Sequence, residues 1–138
     1  MYETDGDFGK VRMAVLPELE NSGLFTPKVL GWHRVNERYV IPRDEGSTEH
    51  ILLVTTDGCG KFRMGKEEYI LSAGTIALFP RNVPHTYRTV AGGIWEFYWM
   101  HPRGELCDVF LDRLAVEGRV VGRFDPSHPY GRLKGNRP

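Results

Sequence analysis

A chain of 138 residues corresponds to one ordinary domain, because two halves would each be too small to close a good core. Hydrophobic residues make up 41% and aromatics 12%, enough for one compact core, which excludes a chain disordered throughout. Lys plus Arg and Asp plus Glu each number 18, and the resulting zero net charge argues against a domain that grips a nucleic-acid backbone.

The opening, MYETDGDFGK, is acidic and polar and does not read as a secretory signal. Residues 1–28 carry the breakers Pro17, Gly23 and Pro27 and read as an N-terminal arm with one short strand at 11–16. From residue 29 to 103 short apolar or alternating runs recur between Gly, Pro and Asn. Strands are predicted at 29–34, 38–42, 50–56, 61–64, 69–72, 75–79, 85–89 and 94–101. Gly65 marks a hairpin turn between two of them. Such close spacing predicts an all-β barrel or sandwich. The last strand alternates, so Trp95, Phe97 and Trp99 share one face and Glu96, Tyr98 and Met100 the other.

From Gly104 the period changes. Leu106, Val109, Phe110, Arg113 and Leu114 follow helical spacing, which predicts one amphipathic helix at 105–116, ended near Gly118, on the outside of the β body. Segment 104–138 completes the same domain, with a loop-like stretch after Phe124 and a tail in which Arg and Lys outnumber acids. That tail reads as a solvated terminus rather than a nucleic-acid patch. No apolar run approaches the ~20 residues of a membrane span. Cys59 and Cys107 are far apart and form no C-x-x-C pair, which argues against a disulfide scaffold or a thiol zinc site and fits a reducing cytoplasm.

The most informative stretch is GTIALFPRNVPHTY, residues 74–87. A Gly-opened strand runs into a Pro-bounded turn, and His85 and Tyr87 then fall on one face of the next strand. This stretch resembles the second motif of cupins at Gly74, Pro80 and His85, and departs from it at Asn82 and Thr89. The resemblance implies a double-stranded β-helix, that is, a jelly-roll barrel followed by a C-terminal helix. The first cupin motif should lie near residues 46–58, but there His50 is followed two positions later by Leu52, and 51–56 hold no carboxylate. A metal site needs several converging ligands, so neither metal nor other cofactor is expected.

The ordered run of Arg43, residues 50–54, Gly58, Gly60, Gly74, 79–80, 84–87, Trp95 and 99–101 is similar to the N-terminal effector-binding domain of AraC-family transcription regulators. The resemblance implies a non-enzymatic sensor. A small molecule, often a sugar, would bind inside the barrel. DNA would be bound only by a C-terminal helix-turn-helix domain that this chain does not contain, and the full-length protein would be a possible homodimer. It also implies that Arg43 falls at the family's sugar-binding Arg, Tyr87 and Trp99 at a pocket Tyr and a stacking Trp, and Phe97 in place of a pocket His. An Arg offers a five-donor fork and an indole offers a stacking face, which is what a sugar requires. His85 and Trp95 lie on the neighbouring positions, and Trp32 with His33 is expected to complete the site. The bland alternatives are a surface Arg43, a Trp95 in plain core, and a His85 that only holds its loop. Two other functions remain: a metal-dependent cupin isomerase or dioxygenase, and a stand-alone carbohydrate-binding module.

Overall fold

A computed structural model describes residues 2–16, 25–124 and 133–134. Strands β1 (Tyr2–Gly6), β2 (Gly9–Val15), β3 (Thr26–Asn36), β9 (Ile94–Arg103), β5 (Ile51–Met64), β7 (Thr75–Phe79), β10 (Val121–Phe124) and β11 (Leu133–Lys134) lie side by side in that order. A second layer consists of β4 (Val40–Arg43), β8 (His85–Thr89), the C-terminal half of β5 and β6 (Glu67–Ser72). All named strand pairs are antiparallel. The two layers enclose the core, so the chain is a cupin-like jelly roll, with one helix, α1 (Glu105–Val116), outside it.

One strand serves both layers. Leu52 to Gly58 pair with β9, whereas Gly60 to Arg63 pair with β8. The register shifts between Thr55 and Asp57, and such a bulge bends a strand and raises its twist. Gly58 makes the turn possible: its φ is 69°, and a Cβ there would collide with the Ile94 carbonyl. The Asp-Gly-Cys-Gly stretch at 57–60 reads as a break between two predicted strands, 50–56 and 61–64, yet the structure runs them together. The glycines there allow a bend rather than a stop.

The first fifteen residues also differ from a free arm. β1 and β2 form a hairpin, and β2 continues the sheet by pairing with β3 from Gly9–Val35 to Val15–Val29. The acidic, Gly-interrupted composition hides this, because β1 takes its partners from backbone groups rather than from an apolar face. β10, too short and polar to read as a strand, pairs with β7. The expected breakers Pro17 and Gly23, the stretch after Phe124 and most of the basic tail lie outside the described residues.

The helix spans the predicted residues but turns a different face to the barrel. Leu111 is buried and Cys107 and Leu114 pack on the core, whereas Leu106, Val109 and Phe110 are exposed. A polar clamp sets this rotation. Arg81, in the β7–β8 turn, grips Asp112 through two guanidinium nitrogens at 3.0 and 2.7 Å, and reaches Asp108 at 3.5 Å. The fully buried His50 ring closes the clamp. Its Nδ1 accepts from the Arg81 backbone N–H at 3.1 Å, so its proton sits on Nε2, which donates to Asp112 at 2.9 Å.

Candidate functional site

Strand alternation builds the site. On β3, Gly31, His33 and Val35 face inward; on β9, Trp95, Phe97 and Trp99 do; on β5, Ile51, Leu53 and Thr55 do. Register aligns them in rows across the sheet: Met13, Gly31, Trp99 and Leu53 in one, Val11, His33, Phe97 and Thr55 in the next, and Val35, Trp95 and Gly58 in a third. The third row is solid core. Trp95 is wholly buried, stacks near Phe97 at 4.2 Å between centroids, and donates from Nε1 to Thr55 Oγ1 at 3.0 Å.

Beside the first two rows lies a cavity of about 180 Å³. Trp99, Phe97, Leu53, Ile51 and His101 form one wall, Val11, Met13 and His33 a second, and Tyr39, Ile41, Arg43, Tyr87 and Phe79 the opposite layer. Trp99 can lie against β3 because residue 31 is glycine: a Cβ there would sit 2.7 Å from the indole and 2.8 Å from the Arg12 carbonyl.

The polar groups are fixed by their partners. The indole N–H of Trp99 donates to Nδ1 of His33 at 2.7 Å. That bond leaves the His33 proton on Nε2. Burial pushes His33 down to about 4, so it is neutral at pH 7. Burial, with the Tyr87 hydroxyl beside it, holds the Tyr39 phenol well above its ordinary range, so it stays protonated. His101 is lowered by burial, partly offset by Glu49 at 3.6 Å, which in turn pairs with Lys28 at 2.8 Å. Arg43 is exposed at the mouth, with its side chain along the lining.

Of the sequence-derived candidates, Arg43, Tyr87, Phe97 and Trp99 come together on the lining. Trp95 sits one row deeper, in the core. His85 is buried behind Tyr87 and Phe79; its Nδ1–H donates to the Val83 carbonyl at 2.8 Å, burial lowers its pKa, and Nε2 has no hydrogen-bond partner among the described residues. Trp32 stands on the outer face of β3, between Arg12 and Tyr98 in register, and is not on the lining. Its neighbour His33 takes the inward position instead. The period-two alternation with Gly31 and Val35 was the signal that distinguishes the two. Val11, Met13, Tyr39, Ile41 and His101 belong to the lining without any motif to mark them.

Among the described residues there is no group of three or more His, Cys, Asp or Glu side chains that could hold a metal ion. Nor is any described helix long and apolar enough to cross a membrane.

A jelly roll with a lined cavity between its sheets defines a cupin-like binding barrel. The chain belongs to the AraC-like ligand binding domain family, whose pattern matches residues 30–134. It is 30% identical over 66 residues to the lactose operon transcription activator of Staphylococcus xylosus, a match covering 48% of this chain and 24% of that protein. The chain thus spans about a quarter of that relative. Among solved structures it is similar to the plu4264 protein of Photorhabdus luminescens, with TM-score 0.53, 17% identity, and 83% and 91% of the two chains covered. It is also similar to YhaK of Escherichia coli, with TM-score 0.57, 16% identity, and 68% and 44% covered. Oxalate decarboxylase of Bacillus subtilis matches with TM-score 0.53 and 15% identity over 72% of this chain and 27% of that one. At these identities the structural likenesses establish the fold alone.

Proposed function

We propose that this chain is the effector-sensing domain of an AraC-family transcription regulator. It binds a small molecule, with a sugar as the first class to try, in the cavity between the two sheets. Binding modulates a helix-turn-helix DNA-binding domain C-terminal to residues 1–138, and does so in a homodimer of the full-length protein. The observation that carries the reading is the cavity itself: within a chain of this family, a concave site of about 180 Å³ sets an indole face, two phenols and a guanidinium around one space. In domain terms we take 29–103 as the body of the effector-binding domain and 104–138 as part of the same domain, with the β1–β2 hairpin of the N-terminal segment joined to its sheet.

The reading is non-enzymatic. The absence of a converging ligand set among the described residues favours it over a metal-dependent cupin enzyme, to which the fold alone is equally suited. Thermal-shift screening against sugars, sugar acids and aromatic acids tests it. A saturable rise in Tm is expected for one class, accompanied by a change in tryptophan emission, because Trp99 lines the cavity. Stoichiometric iron, manganese or zinc in the purified protein, with turnover, would instead favour the enzyme.

A further inference from the structure

The geometry points to a guest that carries one carboxylate on a single ring, held by that carboxylate on Arg43. The inference rests on the effector-site reading above and narrows it.

Charge is the first argument. The Arg43 guanidinium reaches the cavity, yet no described carboxylate forms an ion pair with it, Asp44 and Glu45 beside it in the chain included. Glu49, which faces the lining residue His101, is already bound to Lys28 at 2.8 Å. The mouth therefore offers a fork of donors that no anion among the described residues fills. A carboxylate is the group whose two oxygens match that fork.

Hydrogen-bond inventory is the second argument. No carboxylate or carboxamide side chain is among the described lining residues. His33 keeps its proton on Nε2, because Trp99 has taken Nδ1. Tyr39 and Tyr87, 6.2 Å apart between ring centroids, bring two hydroxyls to the same layer of the lining. The lining therefore carries no side-chain anion, among the described residues, to compete with a guest carboxylate. A carboxylate only accepts.

Size completes the case. A cavity of about 180 Å³ lies below the roughly 300–1,000 Å³ of drug-sized sites, and its walls are mainly aromatic and aliphatic, which suits one ring and not two. Two sources share this chemistry: a uronic acid, whose ring C–H face stacks on Trp99, and an aromatic acid.

Matched pairs separate them. Calorimetric titrations of the 138-residue chain with galacturonate against galactose, and benzoate against benzyl alcohol, change only the acid group within each pair. At least one acid is expected to bind about tenfold or more tightly than its neutral partner. Arg43→Gln should erase the preference while leaving the near-UV circular dichroism unchanged. Arg43→Lys should keep part of it, since the charge survives and the fork does not. The pair that responds names the source. Equal or tighter binding of the neutral partner overturns the inference and leaves the effector-site reading standing. A preference that survives Arg43→Gln overturns it too, as does failure of both acids to saturate at millimolar concentration while the wider thermal-shift screen finds a neutral ligand.

Discussion

Replacing Asp112 by Ala removes the acceptor that seats the helix. Two contributions are lost. The ion pair with Arg81 joins side chains 32% and 44% exposed, and such pairs stabilise by about 0–1 kcal/mol. The second loss is larger. His50 is fully buried, its Nδ1 is occupied by the Arg81 N–H, and its Nε2–H would have nowhere to go. A stranded buried donor costs about 1–3 kcal/mol. Together Asp112→Ala should cost about 2–3 kcal/mol, which for a chain of this length lowers Tm by about 6–15 °C. Asp112→Asn separates the two contributions, because its carbonyl oxygen still accepts from His50 and only the charge is lost; it should recover most of the stability. Urea and thermal melts of both variants, with Arg113→Ala as an exposed control, measure the difference. If Asp112→Ala melts with Arg113→Ala and the wild type, His50 is not held as described and the clamp argument fails.

Acidification should weaken the fold through His33. Its folded-state pKa is depressed, so the unfolded chain takes up the proton first as pH falls; stability is complete above about 6.5 and is lost toward about 4. The loss is about 3 kcal/mol over that window, and His33→Gln should flatten the corresponding part of a stability-versus-pH curve. His50, His85 and His101 are also lowered, so the residual slope keeps the same sign. Gly31→Ala should destabilise by about 1–3 kcal/mol through overpacking against Trp99 and shift the tryptophan emission; an unchanged spectrum and melt would refute the close approach. For any ligand found, Arg43→Ala should weaken binding about tenfold or more while Arg113→Ala does not, and equal effects in titration would remove Arg43 from the site. Because Val11 and Met13 line the cavity, a saturating ligand should slow amide exchange in β2, as read by mass spectrometry; exchange unchanged there would separate the hairpin from binding.

Much of the barrel could be read before any coordinates, because its signals are local. Alternation in β9 put Trp95, Phe97 and Trp99 on one face, and the Pro-bounded turn placed His85 and Tyr87. What could not be read depends on partners distant in sequence. The β1–β2 hairpin has no apolar stripe of its own and is defined by pairing to β3. The continuity of β5 depends on a bend at Gly58 that a sequence shows only as a stop, since glycine serves both. Trp32 and His33 are adjacent, and the alternation of Gly31, His33 and Val35 that marks the inward one gains its meaning once Gly31 is seen to sit under Trp99. The helix was legible in extent but not in rotation, since hydrophobicity favoured Leu106, Val109 and Phe110 while a clamp of charges turned Asp108 and Asp112 inward.

Residues 50 and 51 share a peptide plane. One of them anchors the helix through its imidazole, and the other is part of the cavity wall. No slack lies between these two duties, for the imidazole is bonded at both nitrogens. Any shift of the backbone at Ile51 would therefore be felt at the seat of α1, whose twelve residues extend about 18 Å. Over that length a tilt of a few degrees carries the far tip through about an ångström. Geometry of this kind is a short crank on a long lever, and the barrel wears it on its outside.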